Sequence, residues 1–157
     1  MIPRLATPAD VPDIAAMHVQ AWEETYDGLL PPSEFARRNH AFRLALWAKI
    51  IASSAPVSFL PHIGFAQIAA QRDPALRTAF PRELYTCYTL QHAHGSGAGQ
   101  ALLRHARGPN PAPFTAEVLK GNNRATRFYE KSGGTLLKET HEDIDGWAIS
   151  NLVFGFA

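Results

Sequence analysis

The sequence has few cysteines, and its histidines are dispersed. Cys87 is the only cysteine among 157 residues, which excludes an internal disulfide and any zinc site built from several thiolates. No two of the seven histidines stand four residues apart, the spacing that would place two imidazoles on one helix face. We therefore expect no metal site.

Clustered charge and long apolar runs are also absent. The formal net charge is +1, and the Lys and Arg residues are scattered, so nucleic acid is not an expected partner. No apolar run approaches the roughly 18 residues that a membrane span requires, and the first ten residues lack a signal-peptide pattern. The sequence thus predicts a cytoplasmic protein that does not enter membranes.

The remaining composition is that of one globular domain. Hydrophobic residues make up 46% of the chain, enough to form a single core over residues 1–157. The pattern of segments predicts the order β-α-α-β-β-β-α-β-α-β-β, an α/β layer protein with a mixed sheet. Asp10 is the expected cap of the first helix, Asn39 a break in the second, and Asp145 and Gly146 the turn of a terminal hairpin.

A glycine-rich stretch, "HAHGSGAGQALL" at residues 92–103, separates a predicted strand from a predicted helix. Amides at a helix N-terminus bind anions, and glycines without Cβ atoms let a phosphate approach them. This predicts a pyrophosphate site, with a turn that binds nothing as the alternative. A Walker loop does not fit, because Gln100 and Ala101 follow the last glycine, and G-x-G-x-G is not the dinucleotide spacing.

Two motifs resemble the GNAT superfamily of acyl-CoA-dependent N-acyltransferases. Residues 94–99 match its Q/R-x-x-G-x-G/A motif except that His94 replaces Gln or Arg, and residues 122–129 match N-x-x-A-x-x-F-Y completely. The resemblance implies a mostly antiparallel mixed sheet with a splayed central pair of parallel strands and helices on both faces. Gly134 departs from the family, which commonly has an aromatic residue there.

The resemblance implies acetyl-CoA as co-substrate, without a metal. Pyrophosphate would lie on the glycine loop, and Leu90 would offer backbone groups to the pantetheine arm and the thioester. The cofactor-binding residues implied are Leu90, His94, Gly95, Ser96, Gly97, Ala98, Gly99, Gln100, Asn122, Ala125 and Phe128. Asn122 is also a candidate helix cap.

The resemblance also implies the catalytic chemistry. Tyr129 matches the family tyrosine that protonates the departing thiolate, and Glu83 is the candidate base that removes a proton from the amine. Packing in the core is the alternative for Tyr129, and a solvated charge is the alternative for Glu83. Cys87 is not expected to form an acyl-enzyme, since direct transfer needs no protein nucleophile.

One face of the first helix presents His18, Trp22 and Tyr26, spaced four residues apart, as an acceptor wall or as part of the core. The resulting prediction is an N-acetyltransferase acting on a primary amine of a small molecule. Two alternatives remain open: an acyl-CoA-binding sensor without turnover, and an enzyme that acetylates protein N-termini or lysines. Homodimers are common in the family, but the sequence reveals no interface.

Overall fold

The computed structural model describes all residues, 1–157. Five helices are present: α1 (Val11–Tyr26), α2 (Pro32–Arg37), α3 (His40–Ala52), α4 (Ala98–Arg107) and α5 (Asn123–Lys131). Seven strands are present: β1 (Arg4–Leu5), β2 (Ser58–Leu60), β3 (Gly64–Ala70), β4 (Arg82–Thr89), β5 (Phe114–Leu119), β6 (Thr135–Ile144) and β7 (Trp147–Phe156). The predicted order of elements is confirmed, and the second helical region is interrupted at Asn39. None of the helices combines the length and apolar character needed to cross a membrane.

The seven strands form one sheet in the order β1-β2-β3-β4-β5-β7-β6. Every neighbouring pair is antiparallel except β4 and β5, which run parallel at the centre. The fold class predicted from the two motifs is therefore confirmed, including the central parallel pair.

Local turn and capping interactions explain two of the boundaries of the helices and strands. Asp145 and Gly146 both have positive φ, 50° and 85°, as a two-residue hairpin turn between β6 and β7 requires. Asn122 caps α5 by accepting a hydrogen bond from the amide of Ala125 at 3.2 Å.

Asp10 does not cap α1 as predicted, because other donors hold its carboxylate. It accepts hydrogen bonds from the Thr7 amide at 2.7 Å and from the Arg4 guanidinium at 2.7 and 2.9 Å. The carboxylate therefore fastens the short 3-10 turn that precedes α1 to strand β1.

Helices cover both faces of the sheet. On one face, α1 and α3 bury an apolar cluster that includes Ile14, Trp47, Phe59 and Phe65. On the other face, α4 packs on Leu60 and Ala66, and α5 packs through Tyr129 on the aromatic rings of β5 and β7. The adjacent residues Phe65 and Ala66 thus point to opposite faces of the sheet, because side chains alternate along a strand.

A bulge interrupts β4 directly after Leu84, the last residue that pairs with β5. Gln67 pairs with Thr86, but the next residue, Ile68, pairs with Leu84, so Tyr85 has no partner on β3. The extra residue reverses the side-chain alternation: Leu84 and Cys87 both contact the α4 and α5 side, whereas Tyr88 packs on the α1 side. The bulge therefore decides to which face of the sheet each of these β4 side chains points.

Candidate active-site cleft between two central strands

The central cleft opens where β4 and β5 part. Their parallel pairing covers only Arg82–Leu84 and Phe114–Ala116, and the backbone of β4 beyond Leu84 has no strand partner on that edge. A cavity of about 680 Å³ occupies the gap. Its lining comes from α1, the glycine loop, β4, β5 and α5, so it connects the two faces of the sheet.

Most of the predicted site residues line this cleft. These are His94, Gly95, Gly97, Ala98, Gly99, Gln100, Asn122, Ala125, Phe128, Tyr129 and Tyr26. Glu83, Leu90, Ser96, His18 and Trp22 are not among the lining residues. The two sequence motifs are thus brought together around one cavity.

The glycine loop presents free backbone donors at the start of α4. Gly95 and Gly97 have φ of 79° and 88°, a conformation that strains any residue with a Cβ atom. The amides of Gly95, Gly97, Gly99 and Gln100 make no hydrogen bond within the protein. These donors and the positive end of the α4 dipole suit an anion such as a pyrophosphate.

Three basic side chains of α5 also line the cleft and add positive charge near the glycine loop. The sequence analysis did not identify them. Arg124, Arg127 and Lys131 line the cleft along one side of the helix. Their i, i+3, i+7 spacing was a usable signal, because such residues share a helix face. Backbone amides on one side of the cleft and basic side chains on the other therefore both favour an anionic ligand.

Ser96 turns away from the cleft and closes the loop on itself. Its hydroxyl donates to the carbonyl of Ala93 at 2.5 Å and lies 3.3 Å from the amide of Ala98. The close approach of Gly99 to Phe128 is a second constraint, since a Cβ at Gly99 would lie 3.0 Å from that ring. Ser96 therefore shapes the loop, and the glycine at 99 lets α4 pack against α5.

Tyr129 is buried on α5 and lines the cleft beside Cys87. Its ring packs edge-on to Phe128 and Phe156 at centroid distances of 5.2 and 6.0 Å. Burial raises the pKa of Tyr129 well above its usual value, and raises the pKa of the Cys87 thiol to about 12. Tyr129 is therefore protonated at neutral pH, and Cys87 is not a thiolate nucleophile.

Glu83 lies outside the cleft in an ion pair. Its carboxylate accepts hydrogen bonds from the Arg72 guanidinium at 2.5 and 3.2 Å and from the Arg72 amide at 3.1 Å. It is 8% exposed and stands where β4 and β5 are still paired. These contacts hold the Glu83 carboxylate in an ion pair beside the cleft, near Glu117.

Glu117, which the sequence analysis passed over, is the carboxylate of β5 that lines the cleft. Its neighbours Ala116 and Val118 contact the α5 side, so Glu117 projects toward the α1 side. Glu117 is exposed to the cleft, and partial desolvation there, followed by the charge of Glu83, raises its pKa above the usual value for a glutamate. A carboxylate of raised pKa in a cleft has the properties of a general base.

Both backbone groups of Leu90 already make a hydrogen bond within the protein. Its amide donates to the carbonyl of Ile63 at 2.8 Å, and its carbonyl accepts from the amide of Ala93 at 2.9 Å. The unpaired edge of β4, from Tyr85 to Thr89, lies beside the cleft instead. Donors to a bound pantetheine arm would therefore come from this edge.

The three side chains of α1 divide between core and cleft. His18 is 3% exposed and accepts a hydrogen bond from Trp47 Nε1 at 3.0 Å, and burial lowers its pKa to about 2. Trp22 packs on Tyr26 and Phe35 behind the cleft wall. Tyr26 alone reaches the cleft, where its hydroxyl lies 3.1 Å from that of Tyr88.

Comparison with solved structures identifies the fold. A ribosomal-protein-alanine N-acetyltransferase from Brucella melitensis superposes with a TM-score of 0.72 over 99% of both chains, at 20% identity. The putative acetyltransferase yncA from Salmonella typhimurium, solved with its cofactor acetyl-CoA, has a TM-score of 0.69 at 19% identity and covers 99% of this chain and 92% of its own. The chain has the GNAT fold.

Sequence comparison agrees with this assignment but is more limited. The uncharacterized N-acetyltransferase YuaI of Bacillus subtilis is 27% identical over 100 residues. The match covers 60% of this chain and spans 55% of the length of YuaI. No protein-family model matches the chain.

The two residues that depart from the GNAT pattern, His94 and Gly134, each have a defined contact or neighbour in the structure. His94 lies 3.1 Å through Nε2 from the carbonyl of Thr89, so the ring joins the glycine loop to the end of β4. A Cβ at Gly134 would lie 2.8 Å from the ring of Phe156. That phenyl ring occupies the space into which a side chain at residue 134 would project.

Proposed function

We propose that this protein transfers an acetyl group from acetyl-CoA directly to the primary amine of a small molecule. The observation that carries the proposal is the cleft itself, which joins an anion-binding loop on one face to a carboxylate on the other. The acetyl-CoA in the yncA structure supports the choice of co-substrate, since that protein shares the fold.

Acetyl-CoA supplies the activated acyl thioester, and the glycine loop is placed to hold its pyrophosphate. The free amides of Gly95, Gly97, Gly99 and Gln100 donate to phosphate oxygens, while Arg124 and Arg127 offset their charge. The unpaired edge of β4 offers hydrogen-bonding groups to an extended arm, as a neighbouring strand would.

Glu117 takes the proton that an ammonium must lose before its nitrogen can attack. Its raised pKa makes it a stronger base than a glutamate of ordinary pKa, and it acts directly or through a water. In this proposal Glu117 replaces Glu83 as the base, because Glu117 lines the cleft and Glu83 is held by Arg72.

Tyr129 returns a proton to the departing sulfur. Burial raises the pKa of the Tyr129 phenol, so it carries its proton at neutral pH and can donate it as the thiolate leaves. Desolvation in this part of the cleft also disfavours a free thiolate, as it does for the neighbouring Cys87 thiol.

The direct test is acetyl-CoA turnover with a panel of primary amines, monitored by the release of free thiol. An acetyltransferase releases one thiol for each amine acetylated, which mass spectrometry of the product confirms. Binding of acetyl-CoA without thiol release from any amine would favour the sensor. Turnover only with peptides that carry a free N-terminus or a lysine would favour a protein acetyltransferase.

A further inference from the structure

Arg43 on α3 is a buried cation whose hydrogen bonds are not satisfied by the chain. The residue is 3% exposed, and its Nε and Nη2 atoms are buried without a hydrogen-bond acceptor. Its guanidinium lies over the Trp22 ring at 4.6 Å and over the Phe42 ring at 5.6 Å. Burial lowers its pKa to about 10, so it remains charged at neutral pH.

No carboxylate of the protein pairs with this guanidinium. Glu34 is the acidic neighbour, and its two oxygens are held by Arg37 at 2.7 Å and by Arg38 at 3.0 Å. Buried arginines are normally paired, because an unpaired guanidinium forfeits its hydration without compensation. Cation–π contact offsets only part of that loss. The donors of Arg43 are therefore suited to an acceptor that the chain does not provide.

A second buried donor lies in the same cluster. The indole Nε1 of Trp22 is also buried, and it lies near the Tyr88 hydroxyl without forming a hydrogen bond of normal geometry. Trp22 contacts Tyr26 at a centroid distance of 5.2 Å, and Tyr26 meets Tyr88 in the wall of the cleft. Arg43 therefore stands behind this wall, separated from the cleft by two aromatic contacts.

The charges on the α1 side of the cleft are arranged as two poles. Glu117 and Glu24 line the cleft and favour the ammonium group of an acceptor, whereas Arg43 lies behind the tyrosines as a positive pole. Arg43 and Arg38 already occupy positions over the Trp22 ring, so this aromatic cluster is not open to a second cation. A polyamine fits such an arrangement poorly, and a molecule with one amine and one carboxylate fits it well.

Building on the proposed function, we propose that the acceptor is a primary amine that also carries a carboxylate, and that Arg43 together with Trp22 Nε1 binds the carboxylate. A guanidinium offers the paired donors that match the two oxygens of a carboxylate. The carboxylate would reach them past Tyr26 and Tyr88, whose mutual hydroxyl hydrogen bond closes this part of the wall. Free amino acids belong to this class, whereas the N-terminal residue of a protein has its carboxyl group in a peptide bond.

The test compares the rates at which the protein acetylates matched sets of acceptor molecules. Each L-amino acid is assayed beside its amide and beside the amine that lacks the carboxyl group. We expect the wild type to prefer the amino acid by about ten-fold or more in kcat/KM, because the other two leave buried donors unpaired. Equal rates for the three members of every set would overturn the proposal.

Substitutions distinguish the contribution of Arg43 to this preference from that of its neighbours. Arg43→Met keeps most of the volume and is expected to reduce the preference to about two-fold or less, while Arg43→Lys keeps the charge and part of the preference. Arg38→Met is the matched control, since Arg38 also lies over Trp22 but is paired with Glu34 at the surface. Thermal unfolding verifies that all three fold. A preference that survives Arg43→Met would contradict the assignment.

A binding measurement distinguishes failure of this inference from failure of the proposed function. Tryptophan fluorescence is followed during titration with the amino acids and with their amides, for the wild type and for Arg43→Met. If no amine is acetylated but the wild type binds amino acids more tightly than amides, the function is wrong and the site stands. If amines are acetylated without this difference in binding or in rate, the site is wrong and the function stands.

Discussion

Tyr129 and Glu117 reach the same cleft from opposite faces of the sheet. Tyr129 belongs to α5 and packs on Phe114 and Ala116 of β5, whereas Glu117 is the next residue of that strand and projects the other way. A proton donor on one side and a proton acceptor on the other can act on a leaving group and a nucleophile that enter from different directions.

Replacement of Tyr129 by Phe removes the phenolic proton and leaves the ring in place. We expect kcat to fall by about 100-fold, within the range of a lost general acid, with the acetyl-CoA Kd nearly unchanged. Stopped-flow or steady-state thiol release gives kcat, and calorimetry gives Kd. An unchanged kcat on an accepted amine would show that another group protonates the sulfur.

Replacement of Glu83 by Gln is expected to move the ascending limb of the pH profile toward lower pH. The charge of Glu83 raises the pKa of Glu117, and release of Arg72 from its partner would lower that pKa further. Because a base acts only when deprotonated, a lower pKa extends activity into acid. The measurement is kcat/KM against pH.

A surface carboxylate serves as the control for this profile. Glu139 pairs with Lys120 and is not among the groups that shift the pKa of Glu117. Glu139→Gln is expected to leave the limb in place, and Glu117→Gln to remove it. A profile that Glu83→Gln does not move would mean that Glu117 is not the titrating base.

Replacement of Gly97 by Ala tests the phosphate loop. With φ of 88°, the left-handed backbone makes a Cβ cost about 1 to 2 kcal/mol of stability, and that Cβ would point into the open space beside the free amides. Gly146 has φ of 85° and a Cβ there would also meet no atom, but it lies in the hairpin turn.

Gly146→Ala is therefore a matched control for strain. Both variants are expected to lose similar stability in thermal or denaturant unfolding. Only Gly97→Ala should weaken acetyl-CoA binding, by about ten-fold or more, because only its methyl group lies between a phosphate and its donors. Equal affinity in the two variants would mean that the loop does not hold the phosphates.

The buried His18 is expected to make the folded protein less stable in acid. Its pKa is about 2 in the folded protein and about 6.5 in an unfolded chain. Below pH 6, His18 therefore binds a proton in the unfolded state but not in the folded state. Unfolding is then favoured by about 1.4 kcal/mol for each pH unit between roughly 6 and 3. This contribution is absent above about pH 7.

Denaturant unfolding at several pH values measures this slope. His18→Gln keeps an acceptor for Trp47 and removes the titration, so its free energy of unfolding should change less steeply with pH. The exposed His141, replaced in the same way, should retain the wild-type slope. Parallel slopes for wild type and His18→Gln would show that His18 is protonated in the folded protein.

The sequence predicted features that depend on nearby residues. The glycine loop, the cap at Asn122 and the turn at Asp145 and Gly146 follow from local backbone preferences, and all three form as expected. The two motifs then located the cleft, because their residues lie on α4 and α5 and the turns before them, on either side of β5.

The acceptor side depended on contacts that no local pattern encodes. Glu83 pairs with Arg72, which follows β3, and His18 is buried by Trp47 of α3. Glu117 lines a cavity only because the pairing of β4 and β5 stops at Leu84. Each of these contacts depends on how separate elements meet, so the sequence alone could not predict that Glu117 lines the cleft and that Glu83 pairs with Arg72.

The short pairing of β4 with β5 makes the sheet two halves joined by three residue pairs. Apart from the bulge at Tyr85, amide hydrogens of β4 that face β3 are held in an antiparallel ladder, but those on the other edge from Tyr85 to Thr89 are not. Hydrogen exchange along this one strand should therefore alternate between slow and fast residues. A ligand that pairs with the open edge would slow the fast set and leave the slow set unchanged, so one strand would report both fold stability and occupancy.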